Sequence, residues 1–335
     1  MAKEVKLADI AKRVGVSNVT VSKALSNKSG VSEQMRVRIK ELAKEMGYIP
    51  VSVTKSNPKE GTGNIGVLIP FRFLEKNISF YWEMYQHVVM NLARRGYYGI
   101  LEILNQEDEE ALRLPKIIQD HKIDGLIVIG QTFNKYFEYL KEADIVPTMF
   151  LDFYDSHSDY DTIISDGYYG MYILTDYLIK MGHTEIGFVG TPFSTSSITD
   201  RYFGYMKALI ENNIPVREEW VIPDRDKESN IYHDFTLPDN LPTAFACNCD
   251  KVANAVIIKL TERGLSVPDD ISVVGFDNYL EGGYTIQITT YEVEIEKMAE
   301  LCVRTIIRKI NHKDYSKGVQ IITGHMIEKE SVRRR

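Results

Sequence analysis

The stretch LADIAKRVGVSNVTVSKALS, residues 7–26, has the pattern of two short helices joined by a tight turn. Apolar residues recur at spacings of three and four from Leu7 to Val14, so they share one helical face. Gly15 ends the first helix, because glycine adopts the left-handed conformation without a Cβ clash, and Ser17 is suited to cap the second. The predicted buried face of the second helix consists of Val21, Ala24 and Leu25. This arrangement predicts a helix-turn-helix, whose second helix enters the major groove of DNA.

The next residues, VSEQMRVRIKELAKEMGY at 31–48, predict a third helix that Ser32 caps and Gly47 ends. Its inward face is expected to contain Val37, Leu42 and Met46. A helical hairpin at the end of a globular domain is the alternative interpretation of residues 7–26 alone, because short helix pairs are common. Three helices within the first fifty residues can share a small core, which favours a DNA-binding headpiece.

The outer face of the second helix is predicted to carry the DNA contacts. Asn18, Val19 and Lys23 are the expected contacts to base edges, which hold the sequence information. Phosphate contacts position a protein without specifying a sequence, and they are expected from Thr20, Ser22, Ser26 and Asn27. Ser17, at the turn, is assigned to the same DNA-binding surface.

Charge is distributed unevenly along the 335 residues. Residues 1–60 contain 12 Lys and Arg against 6 Asp and Glu, a net charge of +6, whereas the whole chain carries −7, which leaves −13 on the other 275 residues. A basic head on an acidic body suits a phosphate-binding module attached to one that does not bind phosphate. The acidic total argues against a general polyanion-binding or membrane-surface protein.

The length fits two or three domains, and a hydrophobic content of 44% is ordinary for a globular protein. The opening MAKEVK has no apolar run behind it, and no run of 18 apolar residues occurs, so neither a signal peptide nor a membrane span is expected. The three cysteines, Cys247, Cys249 and Cys302, do not make a disulfide framework. These features fit a protein of the reducing cytoplasm.

The opening KLADIAKRVGVSNVTVSKALSNKSGVSEQMRVRIKELAKEMGYIP resembles the DNA-binding headpiece of the LacI/GalR family of bacterial repressors. The match covers the order of the helices, the turn and the closing Gly47-Tyr48-x-Pro50. The resemblance implies a headpiece at residues 1–50. Lys23 stands where the family usually has arginine, and lysine lacks the bidentate fork to a guanine edge, so weaker base selection is expected there.

Residues 51–63 are predicted to form a hinge or linker, because they are polar and contain Pro58 and two glycines. In the family this segment forms a short helix that pushes a leucine into the minor groove, and such wedges kink DNA. The family's Ala-Arg-x-Leu falls on residues 54–57, so Asn57 replaces the leucine. Lys55 and Asn57 are therefore expected to make polar contacts with DNA, or the hinge folds less firmly.

From residue 64, short apolar runs such as IGVLIP, GILEIL and DGLIVIG alternate with helical patterns such as NKYFEYLKEA. This alternation predicts an α/β architecture of parallel sheets covered by helices on both faces. The pattern restarts after residue 164 with GMYILTDYLIKMGH, EIGFVG and RYFGYMKALIENN. Two such units resemble the two-lobed, type I periplasmic-binding-protein-like fold of the LacI/GalR effector domain. Specific matches are Arg201-x-x-Gly204-Tyr205 and VPDDISVVGFDN at 267–278.

The resemblance implies an effector-binding and dimerisation domain at residues 64–335. Its two lobes are expected to comprise residues 64–163 with 291–321 and residues 164–290 with 322–335. Between Trp220 and Pro242 the family usually has a strand and a full helix, whereas the segment here is short and polar. This wall of the cleft is therefore expected to differ.

Ligands of such folds bind between the lobes, at the carboxyl ends of the strands. The family resemblance implies effector contacts at the positions of this chain that match the family's contact positions. These positions are Phe80, Tyr81, Asp152, Arg201, Cys249 and Asp277. For a sugar this set is suitable, because aromatic faces stack on C–H surfaces, carboxylates accept from hydroxyls, and arginine donates through a planar fork. Asp224 and Arg225, in the altered segment, are weaker candidates.

These residues also have structural alternatives. Phe80 is equally suited to a core position. Asp152 and Asp277 could cap helices that follow their strands, and Arg201 could belong to a surface ion pair.

Other chemistries lack support in the sequence. Cys247 and Cys249 have no matching His or Cys pair nearby, so no metal site is expected, and Cys247 is assigned to a strand core. GTGNIG at 61–66 precedes its strand, which is the wrong context for a dinucleotide fingerprint. His183 is expected to tie a helix end to a strand. No nucleophile elbow, P-loop or metalloprotease motif is present, so neither an enzyme nor a cofactor is expected.

The sequence therefore indicates a homodimeric transcription regulator that binds a pseudo-palindromic operator in double-stranded DNA and a small effector, such as a sugar or sugar derivative. A repressor is the preferred interpretation, and an activator or a regulator controlled by a protein partner remains open. A solute-binding protein would share the fold of the body but not the helix-turn-helix. An enzyme on this scaffold would need a catalytic constellation that the sequence lacks.

Overall fold

The computed structural model describes residues 7–25, 29–46, 48, 61–74, 79–155, 160–279 and 286–335. Its first part contains the helices α1 (Leu7–Val14), α2 (Asn18–Leu25) and α3 (Glu33–Glu45). The three helices share an apolar core whose fully buried members are Ile10, Val21, Ala24 and Ile39. The headpiece therefore has a core of its own.

The ends of these helices follow the local chemistry expected from the sequence. Gly15 has a φ of +77° directly after α1, and the Thr20 N–H donates to Ser17 Oγ over 3.1 Å at the start of α2. Ser32 caps α3 by accepting from the Met35 N–H over 3.4 Å. These contacts confirm the predicted turn and both predicted caps.

The predicted inward face of α3 is partly wrong. Val37 is 46% exposed, whereas α3 buries Ile39 and Ala43, with the predicted Leu42 and Met46 half-buried beside them. Two positions along a helix correspond to a rotation of about 200°, so Val37 and Ile39 cannot face the same core.

Beyond the headpiece, the chain forms two α/β lobes. The strands are β1 (Asn64–Pro70), β2 (Tyr98–Leu104), β3 (Gly125–Ile129), β4 (Thr148–Leu151), β5 (Thr162–Ser165), β6 (Ile186–Val189), β7 (Val221–Ile222), β8 (Ala244–Cys247), β9 (Ser272–Val274), β10 (Thr290–Glu292), β11 (Val319–Ile322) and β12 (His325–Ile327). The helices are α4 (Phe80–Ala93), α5 (Gln106–Glu110), α6 (Lys116–Gln119), α7 (Asn134–Ala143), α8 (Gly167–Lys180), α9 (Ser196–Glu211), α10 (Asp250–Glu262) and α11 (Ile295–Ile310).

Each lobe is built on a parallel sheet. The sheet of lobe 1 has the order β11-β5-β4-β3-β1-β2 and that of lobe 2 the order β7-β6-β8-β9, with parallel pairing throughout. Strands β10 and β12 form a separate antiparallel pair. Every residue of β3 and β6 is buried, because helices cover both faces of each sheet. The predicted fold class is confirmed.

The chain passes between the lobes after β5, after β10 and after β11. Helix α11 packs on β3, β4 and β5 of lobe 1, whereas α8, β10 and β12 lie together in lobe 2. Each lobe therefore consists of two separate stretches of the chain. Among the described helices, none combines the length and the apolar character that crossing a bilayer requires.

His183 joins several parts of lobe 2. It follows α8, and its Nδ1 lies 3.0 Å from Thr243 Oγ1 while its Nε2 lies 3.0 Å from Ser272 Oγ. Burial lowers the pKa of the imidazole, which favours the neutral ring. The prediction that His183 ties a helix end to a strand is confirmed.

The segment after β7 contains no helix, and the structure describes this segment completely from residue 221 to 241. Strand β7 has only two residues and leads into a turn in which Arg225 and Tyr232 form an isolated antiparallel bridge. This absence of a helix agrees with the short, polar character of the segment in the sequence. The segment places residues 224–232 along the cleft between the lobes.

Gly204 on α9 lies against α8, and replacing it with alanine is expected to destabilise lobe 2. An added Cβ would lie 2.1 Å from the carbonyl oxygen of Tyr168, far inside van der Waals contact. We expect the free energy of unfolding to fall by at least about 2 kcal/mol, because the two helices would have to separate. Urea unfolding followed by circular dichroism measures this. The exposed Ile210→Ala on the same helix should cost less than about 1 kcal/mol, and equal losses would contradict the tight contact.

Candidate functional site

A cavity of about 200 Å³ lies between the lobes. Parallel strands end at a common edge of each sheet, and the loops that follow them meet across this cleft. The sequence-predicted effector residues that line the cavity are Phe80, Tyr81, Asp152, Arg201, Cys249 and Asp277. All six predicted positions are thus brought to one place.

Arg201 on α9 is held from three sides. Its guanidinium donates to the carbonyl oxygen of Asn248 over 2.6 Å and to Asp277 Oδ1 over 2.9 Å, and it lies over the ring of Phe276 at 3.9 Å. The residue is only 5% exposed, which excludes the alternative of a surface ion pair. Its Nε is buried and has no hydrogen-bond partner, which leaves one donor for a ligand.

Asp152 follows β4 and is a buried, incompletely compensated carboxyl of the cavity. It accepts from the Tyr81 hydroxyl over 3.0 Å at Oδ2, while Oδ1 is buried without a partner. Burial raises the pKa of this carboxyl to about 7, partly offset by Arg201 and reinforced by Asp277. Asp152 does not cap a following helix, because the next described element is strand β5. The carboxylate of Asp277 does not cap a helix either, because it pairs with Arg201.

Phe80, at the start of α4, is half-buried and lies at the cavity wall. Its ring meets Tyr81 edge-on at 5.4 Å and Tyr279 at 6.3 Å. The ring therefore packs against its neighbours on one side and lines the cavity on the other. The alternative that Phe80 is simply a core residue accounts for only part of its surroundings.

The segment after β7 contributes Arg225, which the sequence analysis treats as a weaker candidate for effector contact. Asp224 is fully buried and accepts from Arg225 through Nε at 3.1 Å and through a terminal nitrogen at 2.7 Å. Thr191 Oγ1 and Asn248 Nδ2 donate to the same carboxylate. Burial opposes ionisation of Asp224, but the adjacent Arg225 holds the pKa of its carboxyl below the ordinary value. Asp224 thus holds the Arg225 guanidinium in place at the cavity wall through these hydrogen bonds.

Several lining residues were not predicted from the sequence. These residues are Arg72, Phe73, Asn230, Tyr232 and Asn248. Asn248 could have been found, because it directly follows β8 and so lies at the carboxyl edge of the sheet. Asn230 and Tyr232 belong to an irregular loop, which offers no periodic signal.

Cys249 occupies the cap position before α10 and lines the cavity. Burial raises the pKa of its thiol to about 12, so the group is a neutral thiol near pH 7. Cys247 is fully buried in β8, as predicted for a strand core. Within the described ranges, no group of three His, Cys, Asp or Glu side chains could hold a metal ion.

Polar contacts join the lobes across the mouth of the cleft. From lobe 1, the Tyr154 hydroxyl donates to Asp200 Oδ1 over 2.7 Å, and Gln131 Oε1 accepts from the Ser196 N–H over 2.9 Å. The Tyr154 N–H also donates to Ser196 Oγ over 3.3 Å. We call these four residues the interlobe clasp.

Helix α2 carries the predicted base contacts, but the outward position predicted for Ser22 is wrong. Ser22 is only 5% exposed and lies on the side that packs into the protein.

Lys23 Nζ donates to the carbonyl oxygen of Glu142 over 3.3 Å, and Val19 packs against an apolar cluster of lobe 1, so both side chains must leave lobe 1 to reach a base edge. Ser17 is exposed at the start of the helix, with Asn18 and Thr20 half-buried beside it. The predictions made for Ser26, Asn27, Gly47, Lys55 and Asn57 lie outside the described residues.

Comparison with known proteins identifies the class of this protein. The family model for bacterial regulatory proteins of the lacI family matches residues 6–51, and the model for a periplasmic-binding-protein-like domain matches residues 175–332. The chain belongs to the LacI family. It is a DNA-binding transcriptional repressor, and members of this family are regulators, not enzymes.

Individual relatives support this assignment over the whole length. The HTH-type transcriptional repressor PurR of Pectobacterium carotovorum subsp. carotovorum (strain PC1) is 30% identical over 332 residues, which cover 97% of this chain and 96% of that protein. PurR of Serratia proteamaculans (strain 568) is 30% identical over 333 residues, with the same coverage of both chains.

Solved structures show the same fold. The lac repressor dimer bound to operator and the anti-inducer ONPF matches with a TM-score of 0.67 and 23% identity, covering 99% of this chain and all of that one. The transcriptional regulator CelR, in complex with cellobiose, matches with a TM-score of 0.68 and 20% identity, covering 98% of this chain and all of that one. At these identities the likeness concerns the fold alone.

Proposed function

We propose that this repressor binds a pseudo-palindromic operator as a homodimer and responds to a small carbohydrate or carbohydrate derivative bound between its lobes. One observation carries the effector assignment. Polar pairs from both lobes converge on a single cavity, namely Tyr81 with Asp152 from lobe 1 and Arg201 with Asp277 from lobe 2. A ligand that bridges the two pairs changes the balance between lobe arrangements.

The lining matches the alternating polar and apolar surface of a sugar ring. Asp152 Oδ1 is free to accept from a hydroxyl, and Arg201 Nε is free to donate to a hydroxyl or ring oxygen. The rings of Phe80 and Tyr81 offer aromatic faces to C–H groups. The volume of about 200 Å³ lies below the roughly 300–1,000 Å³ of drug-sized pockets, which suits a single ring.

The operator assignment rests on the geometry of two-fold recognition. Half-sites lie about one helical turn apart, roughly 34 Å, so two headpieces must be held at a fixed spacing. A homodimer supplies this spacing. We assign residues 1–50 to the headpiece, 51–63 to the hinge and 64–335 to the effector and dimerisation body. Within the headpiece, Asn18, Val19 and Lys23 are our assigned base contacts.

Control by a protein partner is the alternative function. The two features that bear on this alternative are the short segment after β7 and Cys249. That segment lines the cavity with Arg225, Asn230 and Tyr232, and Cys249 lines it as well, which favours a small ligand over a protein surface.

Fluorescence anisotropy tests the proposal. The purified protein is titrated onto duplex from upstream of its own gene and onto a scrambled duplex, at one fixed salt concentration, because protein–DNA affinity depends strongly on salt. We expect binding at least about 10³-fold tighter to the specific duplex. The complex is then challenged with a panel of sugars, and release or tightening identifies the effector. Equal weak binding to both duplexes would contradict specific recognition of an operator in this upstream duplex.

The affinity for such an effector is expected to rise with pH. Effector hydroxyls that donate to Asp152 favour its ionised form, and the pKa of this carboxyl is about 7 before binding. Binding should therefore release a proton, and the affinity should fall by about tenfold for each pH unit below 7. The charged and titratable groups that act on this carboxyl are Tyr81, Arg201 and Asp277.

Isothermal titration calorimetry in two buffers of different ionisation enthalpy measures the released proton. Asp152→Asn should abolish the pH dependence and weaken binding, whereas the exposed Asp144→Asn in the same lobe should change neither. A pH dependence that survives in Asp152→Asn would contradict the assignment.

A further inference from the structure

A second cavity of about 690 Å³, which we call the outer cavity, adjoins the first. Arg72 and Asn230 line both cavities, so the two spaces meet at these side chains. Lobe 1 contributes Gln106, Glu110 and Lys135 to the outer cavity, and lobe 2 contributes Phe193, Asp226 and Lys227. Its walls are thus polar, with groups that donate and accept hydrogen bonds, and include an aromatic ring.

Phe193 is unusual in both exposure and backbone conformation. Its side chain is 58% exposed and lines the outer cavity, where Lys227 Nζ lies 5.3 Å from the centre of its ring. Its φ is +68°, a region that bulky side chains rarely adopt and that costs of the order of 1–3 kcal/mol. The Phe193 N–H donates to Thr199 Oγ1 over 3.1 Å, which holds this conformation. The fold therefore holds an aromatic side chain at the outer cavity at some cost in stability.

The junction between the cavities contains buried polar atoms without partners. Asn230 Nδ2 and Arg72 Nε are both buried and unbonded. The remaining nitrogens of Arg72 are engaged by Glu109 at 2.6 and 3.2 Å and by the carbonyl oxygen of Gln131, so the guanidinium is fixed. Unpaired buried donors are costly, and a ligand oxygen at the junction would satisfy them.

We propose that the effector is a saccharide of at least two linked rings, with one ring in the inner cavity and the next in the outer cavity against Phe193. Oxygens near the glycosidic linkage accept from Asn230 and Arg72 at the junction. This inference rests on the proposed carbohydrate function and specifies the length of the ligand. The inner cavity alone holds one ring, whereas the outer space has room for more.

The experiment compares ligand lengths on the full-length protein by isothermal titration calorimetry. The probes are glucose, galactose, mannose and xylose, together with their α-1,4- and β-1,4-linked disaccharides and trisaccharides. We expect at least one disaccharide to bind at least about tenfold more tightly than its constituent monosaccharide, a gain of about 1.4 kcal/mol. Phe193→Ala should remove this difference and leave the affinity for the monosaccharide unchanged.

Two further variants define the site. Asn230→Asp replaces a donor by an acceptor at the junction and should weaken the longer ligands more than the monosaccharides, since Asn230 lines both cavities. Tyr169→Ala removes an aromatic ring of similar exposure from lobe 2 that lines neither cavity, so it should change no affinity. Monosaccharides that bind as tightly as their oligomers would overturn the inference and leave the proposed function intact. A lack of binding by every saccharide would instead overturn the proposed effector class.

Discussion

Arg201→Ala is expected to abolish the response to effector while operator binding survives. The substitution removes the donor that joins Asp277 to the carbonyl oxygen of Asn248. It leaves the Asp277 carboxylate, whose side chain is only 12% exposed, without its ion-pair partner. Breaking a buried ion pair in this way costs about 3–5 kcal/mol, so the free energy of unfolding should fall by that amount. Effector affinity should fall by more than about 100-fold, because both the pair and the free Nε are lost.

Stability and effector binding can be separated with a second variant. The double substitution Arg201→Ala with Asp277→Ala leaves no unpaired charge, so it should recover part of the stability but none of the effector response. The matched control is Arg217→Ala, a half-exposed arginine of lobe 2 that stacks on Trp220 at 4.4 Å. Urea unfolding and effector titration of the operator complex measure the two effects. An unchanged response in both Arg201 variants would remove Arg201 from the binding site.

A chain that begins at Gly61 is expected to lose operator binding almost completely and to remain folded. The headpiece has its own apolar core, and β1 begins at Asn64, so the sheet of lobe 1 stays intact. Removal of residues 1–60 also takes away a net charge of +6 from a chain whose remainder carries −13. Affinity for the specific duplex should therefore fall by at least about 10³-fold.

Anisotropy titration at fixed salt measures this loss, with the full-length chain as the reference. Thermal unfolding and calorimetric titration with the effector serve as controls for the fold of the truncated body. Retained specific binding would mean that the body itself recognises the operator.

Local patterns predicted much of the fold, because they report local physics. The helix at Asn134–Ala143 was predicted with the same bounds, since its apolar spacing and polar flanks are strong. The apolar runs of β1 and β3 correspond to strands buried between two layers of helices. The prediction failed for Val37 and Ser22, because which side of a short amphipathic helix is buried depends on how the helices pack.

Some residues of the candidate site could likewise be predicted from the sequence, and others could not. Arg201 and Asp277 could be assigned because they stand in motifs matched to the family, and their mutual contact is now visible. Arg225 was ranked low and Asn230 was missed. Their positions depend on a network in which Asp224 is anchored to Thr191, and such non-local contacts leave no periodic trace in the sequence.

The interlobe clasp sets a low free-energy cost for separating the lobes, which bears on the effector concentration needed to change their arrangement. Its three hydrogen bonds are each worth about 0.5–1.5 kcal/mol net of water, so separating the lobes at the mouth costs only a few kcal/mol. A ligand that binds with micromolar affinity supplies about 8 kcal/mol, and only part of it must distinguish the two lobe arrangements. If the proposed effector acts on this clasp, we expect modest effector concentrations to shift the lobe arrangement, and operator occupancy to vary gradually with effector concentration.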